Sequence, residues 1–330
     1  MHFPLTAFIT GILVLAGGTS VADSVVPSPT PAVSEAPTPP TAPSPAPIAP
    51  YQFPPLVDEA LSDSLFNSLS AIPTDMPKPY KDRCHVQQNL TSTTASCLYG
   101  NLNSKSTVIL FGDSHALTWF PAIEKLAIAK KWRLLSLTMS SCWPATLPAW
   151  NPVTNVLMNN CAIWRKNALK EIAQVKPYLT FVAGTRGFAT IDSTGAVLAG
   201  DARTEAWRIG MALTLNAIRK VSKNTVLVSD TPVATSILPG CLGGSPESIM
   251  GCTTPVTSAI DTLWLTTERD LAQSLNILWV NPTTWVCNTD PCSPIANETA
   301  IYRDGGHLTA SFSRQLEAPL WADLSGRLVQ

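Results

Sequence analysis

Residues 105–130 read KSTVILFGDSHALTWFPAIEKLAIAK. Val108 to Phe111 form an apolar run too short for a helix, with polar residues before it and Gly112 after it. Such a run reads as a strand buried on both faces. Gly112 allows a tight exit from the strand, and Asp113 can bond nearby backbone amides and hold the turn. Helical periodicity follows over 115–130. A buried strand feeding directly into a helix is the opening unit of a parallel α/β sheet.

The rest of the chain repeats that alternation. Strands are expected at 133–138, 178–183, 225–229 and 276–281, with helices at 155–174, 204–221, 255–275 and 308–324. The fold class is therefore α/β: a three-layer α/β/α sandwich with a parallel central sheet of about five strands. The loops at 139–154 and 230–256 are long and carry cysteines. Loops beyond strand ends are where such folds hold their sites.

Four segments are expected along the chain. Residues 1–22 hold an uncharged apolar run followed by small residues, which reads as a signal peptide or an N-terminal membrane anchor. Residues 23–54 read as a proline-rich linker; ten of the 24 residues at 27–50 are proline. Extended at about 3.1 Å per residue, that stretch reaches roughly 75 Å. Residues 55–83 read as a helical extension packed on the main domain, through Leu56, Ala60, Leu61, Leu65 and Leu69. Residues 84–330 read as the main domain.

The net charge is -1 and charged residues make up 14% of the chain. No basic field is present to hold a nucleic acid, which excludes that partner class. The eight cysteines suit four disulfides in an oxidising compartment. Sequence leaves the pairing open, and the spacing favours sequential pairs: Cys84–Cys97, Cys142–Cys161, Cys241–Cys252 and Cys287–Cys292. No CxxC occurs and the four histidines are scattered, so no metal site is expected. Nor is a cofactor.

Ser114 follows the first strand and precedes a helix. That places its hydroxyl at the carboxyl end of the sheet, beside unpaired helix amides. The same position would suit a plain helix cap, and the segment lacks the second glycine of a GxSxG turn. A serine nucleophile needs a base. His2 lies in the export segment and His85 ahead of the expected fold. His115 leaves the helix at another azimuth and flanks the pocket. His307 remains. Asp304 stands three residues before it across Gly305 and Gly306, so the chain can turn back and the carboxylate can accept the ring's Nδ1 hydrogen.

Taken together, these blocks resemble the SGNH/GDSL hydrolase superfamily. More narrowly, they resemble the extracytoplasmic SGNH domain fused to or partnered with bacterial acyltransferase-3 membrane proteins. Gly112-Asp113-Ser114-His115, extended through Ile123, matches the first block. Cys142-Trp143-Pro144 matches an element after the second strand, and Asp304-x-x-His307-Leu308-Thr309 the last block. The resemblance covers about residues 56–328. It implies Ser114 as nucleophile, His307 as base, Asp304 as its orienter and the Ser114 amide as an oxyanion donor. The superfamily adds a glycine and an asparagine to that hole. Here the third block ends Gly184-Thr185-Arg186 without asparagine, so Thr185 or Arg186 lies where that donor would be. Ser140 and Ser141 lie near the second.

The function so implied is serine-dependent O-acyl transfer, with acetyl the expected group, to a cell-envelope glycan or glycolipid outside the cytoplasm. A membrane acyltransferase would present the donor, and the N-terminus could tether the chain. The alternatives are a carbohydrate O-acetyl esterase using the same triad and a non-catalytic glycan-binding domain. Trp119, Trp143 and Trp150 are candidate sugar contacts, with Trp164 a further stacking surface; each could equally be a core aromatic.

Overall fold

A computed structural model describes residues 46–93, 96–242 and 246–329. The expected export segment at 1–22 and linker residues 23–45 lie outside the described residues. In chain order the helices are α1 (Asp63–Ser68), α2 (Lys78–Lys81), α3 (Ser114–Leu117), α4 (Phe120–Ala129), α5 (Asn159–Val175), α6 (Gly200–Arg219), α7 (Val256–Ala259), α8 (Thr262–Ser274), α9 (Thr283–Val286), α10 (Ala310–Gln315) and α11 (Glu317–Leu324). The main sheet contains β1 (His85–Val86), β2 (Leu98–Gly100), β3 (Thr107–Gly112) and β4 (Arg133–Met139). A hairpin of β5 (Trp150–Asn151) and β6 (Val156–Leu157) follows, and then β7 (Leu179–Ala183), β8 (Asn224–Val228) and β9 (Leu278–Val280) rejoin the main sheet. A second hairpin pairs β10 (Ile295–Ala296) with β11 (Thr299–Ala300).

The five expected strands are β3, β4, β7, β8 and β9, and they lie parallel. Two more share the outer edge of β4: β1 runs parallel to it near Thr138 and β2 antiparallel near Leu135. Both are too short for a periodic signal, and a disulfide joins Cys84 to Cys97 just before each. His85, expected ahead of the fold, is therefore a buried residue of the sheet.

The sheet order β4-β3-β7-β8-β9 is doubly wound. From β3 the chain crosses to β4 on one side, and after β4 it returns past β3 to β7 and onward. Right-handed crossovers then put α4 on one face and α5, α6 and α8 on the other. Accordingly α4 packs with α10 and α11, and α6 with α5 and α8. Val108 to Phe111 are fully buried between these layers. Each such side chain contributes about 1.5–3 kcal/mol through burial. The winding reverses at β3, and ligands gather outside the carboxyl ends of strands at such a switch point.

Helix boundaries follow local chemistry. In α5, Cys161, Trp164, Ala168 and Ile172 recur on one buried face, and Lys176 adopts the left-handed cap before Pro177. The expected helix over 255–275 is two helices, because the Asp261 side chain accepts the Trp264 amide and starts α8 afresh. The expected final helix is also two. Pro319 cannot continue α10, since its ring would meet the Gln315 carbonyl.

The extension packs on the domain, but differently from the expected single helix. Residues 56–62 form no helix or strand, with Ile249 N–H donating to Glu59 O and Leu61 N–H to Pro246 O. Ser62 then caps α1. Leu61, Leu65, Leu69 and Ile72 are buried against Leu238, Leu242 and Ile249, while Ala60 is exposed. Residues 46–54, expected in the linker, also pack. Ile48, Tyr51 and Phe53 are half-buried beside Val256, Ile260 and Leu265. The Ile48 amide donates to Thr266 Oγ1. The apolar side chains of this stretch outweigh its prolines.

All four disulfides join the pairs that spacing favoured: Cys84–Cys97, Cys142–Cys161, Cys241–Cys252 and Cys287–Cys292. Among the described residues no helix is long and apolar enough to cross a membrane.

Candidate active site

Gly112 ends β3 with a φ of 151°, and a Cβ there would lie 1.8 Å from the Ala183 carbonyl oxygen. Only glycine fits this exit. Asp113, fully buried, is the N-cap of α3: its Oδ1 accepts the His115 and Ala116 amides, and its Oδ2 accepts the Thr185 amide at 2.9 Å. Burial pushes this carboxyl up from its ordinary value, against the nearby His115 charge and the Thr185 amide. Asp113 thus ties the β3 exit to the β7 exit and leaves Ser114 at the first position of α3.

Ser114 Oγ lies 2.9 Å from His307 Nε2. On the other side of the ring, His307 Nδ1 lies 2.8 Å from Asp304 Oδ1 and 3.0 Å from Oδ2. With Nδ1–H donating to the carboxylate, Nε2 accepts the serine hydroxyl. Asp304 Oδ1 also accepts the Gly306 and His307 amides, so the carboxylate closes the turn it belongs to. Partial burial opposes its ionisation, but the His307 and Gly306 hydrogen bonds outweigh that and hold it well below the usual carboxylate range. The turn is fixed in place by the Tyr302–Leu308 bridge and by Arg303 N–H donating to His307 O. Ser114 and His307 are 193 residues apart in sequence; the switch point and the C-terminal layer bring them together.

Register places the other expected residues. Gly112 pairs with Thr138 and Ala183. Ser140 and Thr185 follow these partners two residues further along the chain. The Ser140 amide donates to Val86 O. The Thr185 and Arg186 amides donate to Asp113 and Asp230, and the Arg186 guanidinium donates to Ala259 O. Among the described residues, the Ser114 and Ser141 amides have no acceptor. Ser141 is exposed and has a φ of 54°, the backbone region favoured by glycine. The Thr185 hydroxyl accepts the Gly187 amide and keeps its own hydrogen to donate.

Two expected sugar contacts are corrected. Trp119 is 1% exposed, with its ring edge against Trp285, and Trp143 is 4% exposed, against Phe188. Neither offers a face to a sugar, because both indoles fill the core beneath the sheet's carboxyl edge. Trp164 is likewise buried, stacked on Phe111. Trp150 is half-buried in β5, with its amide donating to Ala189 O.

One residue was missed. Asp230, buried just past β8, stands 2.7 Å from His115 Nδ1. A carboxylate at the end of an apolar strand was the available signal. Burial works against the His115 imidazolium, but Asp230 pushes its pKa up to about 9. Asp230 is itself held low: burial opposes its charge, and His115 and the Arg186 amide outweigh burial.

A family model described as "SGNH domain (fused to AT3 domains)" matches residues 83–322. Among solved structures, the chain is similar to the periplasmic domain of a lipopolysaccharide acetyltransferase from Salmonella ser. Paratyphi A. That match has 15% identity over 81% of this chain and 98% of that one, with a TM-score of 0.56. It is more distantly similar to an acetylxylan esterase from Geobacillus stearothermophilus. There the identity is 12%, over 70% of this chain and 99% of that one, with a TM-score of 0.39. No curated protein matches the sequence.

Proposed function

The chain belongs to the family of SGNH domains fused to AT3 domains, and on that premise we propose that it is an extracytoplasmic serine-dependent O-acyltransferase. The observation that carries this reading is the continuous line from Ser114 Oγ through His307 to Asp304, at 2.9 Å and 2.8 Å. His307 takes the serine proton as Ser114 attacks the acyl carbonyl. The C–O bond to the donor alcohol breaks, His307 returns the proton to that alcohol, and an acyl-serine remains. A sugar hydroxyl then gives its proton to His307 and attacks the acyl carbon, the acyl–Ser114 bond breaks, and His307 returns the proton to Ser114 Oγ. Asp304 keeps the ring in the required tautomer throughout. The Ser114 amide, the Ser141 amide and the Thr185 hydroxyl are the donors open to the oxyanion, and one such donor is worth about 3 kcal/mol.

Acetyl is the proposed group, and a cell-envelope glycan or glycolipid the proposed acceptor. Family membership and the acetyltransferase neighbour support both. A membrane acyltransferase partner would present the donor, and the N-terminal segment would tether the chain. Trp150 is the tryptophan left as a sugar contact. A second reading, carbohydrate esterase, is favoured by one observation: the Asp304 and His307 side chains are 46% and 22% exposed, which gives water access to the acyl-serine.

Turnover of an aryl acetate by the full chain, with and without envelope glycan, tests both. Wild-type turnover that falls to background in Ser114→Ala is expected, with acetyl appearing on the glycan when glycan is present. Free acetate as the sole product would favour the esterase. Equal rates for wild type and Ser114→Ala, together with no phosphonate labelling of Ser114, would sink the catalytic reading in favour of a binding domain.

A further inference from the structure

Beside Ser114, His307 and Asp304 stands a second histidine–carboxylate pair that the acyl-transfer steps leave unused. His115 Nδ1 is 2.7 Å from Asp230 Oδ1, and the His115 and His307 ring centroids are 4.7 Å apart at 53°. Asp230 is fixed in turn: its Oδ2 accepts the Arg186 amide at 3.0 Å and its Oδ1 accepts the Thr231 amide at 2.9 Å. The far edge of the His115 ring faces the turn that carries the base. A Cβ on Gly306 would lie 3.2 Å from both Cε1 and Nε2 of that ring. The start of α3, the end of β8 and the 304–307 turn thus meet at one imidazole.

We propose that His115, anchored by Asp230, is a positioning residue for His307: its ring backs the 304–307 turn and keeps the base in line with Ser114. The proposal rests on the triad reading above. The contacts of Nδ1 with Asp304 and of Nε2 with Ser114 hold the two ends of the His307 ring but leave its tilt about the line through them open, and the neighbouring ring closes off that tilt. Gly306 is the residue that permits the approach. The groups facing His307 are Asp304 with Arg303 beside it, His85, and His115 with Asp230 and Asp113 behind it. Glu268 and Arg186 border Asp230 from the far side. Among them the His115 ring is the one in contact with the His307 ring.

The test is His115→Asn in the full chain. Asparagine can still donate to Asp230 but lacks the outer ring edge and the charge. Expected is a kcat for aryl acetate lower by about 10- to 100-fold with KM within about twofold. Gly306→Ala, which crowds the His115 ring without removing it, should lower kcat in the same direction and serves if His115→Asn fails to fold. Nitrogen-15 histidine NMR reads the base directly: the His307 Nδ1 proton signal should broaden in His115→Asn. Unchanged kcat and an unchanged His307 Nδ1 proton signal in both variants would overturn the proposal. If Ser114→Ala leaves turnover intact, the triad reading fails instead, and the NMR comparison still decides whether His115 governs the His307 ring.

Discussion

Asp304 and His115 carry the residue-scale chemistry, and each has a pH signature. Asp304 has its carboxyl held well below the ordinary range. Its contribution to stability is in place above the unfolded value of 3.8 and declines as pH falls below it. Asp304→Asn keeps the shape but loses the charge, and its amide can present a donor to Nδ1 and favour the wrong tautomer. Turnover of aryl acetate should fall about 10³- to 10⁴-fold, with circular dichroism unchanged. His115 behaves oppositely. Its pKa is raised from 6.5 to about 9 by Asp230, so its contribution is complete below pH 6.5 and is lost as pH rises through 9. The melting temperature should therefore drop between pH 6.5 and 9.5 in the wild type, and drop less in His115→Asn. Equal drops would show that another group governs the alkaline side.

At the scale of elements, the site depends on how three segments end. β3 ends in a glycine that no other residue can replace, α3 begins on the Asp113 cap, and the loop after β4 is tied to α5. The Cys142–Cys161 disulfide joins that loop to the first turn of α5. Arg165, one turn further along, donates to the Trp143 carbonyl through Nε and Nη2. Ser141, proposed above as an oxyanion donor, sits directly before Cys142. Replacing both cysteines by serine should cost about 3 kcal/mol of stability, as for a loop of this length, measured by urea unfolding without reductant. If Ser141 serves the oxyanion, kcat falls in the same variant at temperatures where it remains folded; an unchanged kcat would remove Ser141 from that role.

For the molecule as a whole, two bodies of packing hold different parts of the site. The central core fixes β3 and Ser114. A smaller cluster of Leu61, Leu65, Leu69, Ile72, Leu238, Leu242 and Ile249 joins the extension to the long loop after β8. The extension also reaches the base's turn: Arg303 donates to Tyr80 OH at 3.2 Å, and the Ala310 amide to Asp75 O. Leu65→Ala should cost about 2–4 kcal/mol locally. Hydrogen exchange should then speed up in residues 61–80 and in the loop following β8, while β3 and β7 keep their protection. Uniform loss of protection would mean that extension and sheet unfold as one unit.

The chain's local signals were enough for the five parallel strands, Ser114 as a strand-end serine and the Asp304–His307 turn, and they favoured the sequential disulfides without fixing them. Each rests on residues close together in sequence, where period, glycine placement and loop length act directly. The fates of the tryptophans, the pairing of His115 with Asp230 and the two edge strands at 85–86 and 98–100 were not legible. An indole in the core and an indole on a cleft wall carry the same sequence signal, and only packing tells them apart. The His115–Asp230 contact spans 115 residues and exists because β3 and β8 end at the same edge of one sheet. The same holds for the distance between Ser114 and His307: neighbouring residues determine what each side chain can do, and the doubly wound sheet with its C-terminal layer decides which of them meet.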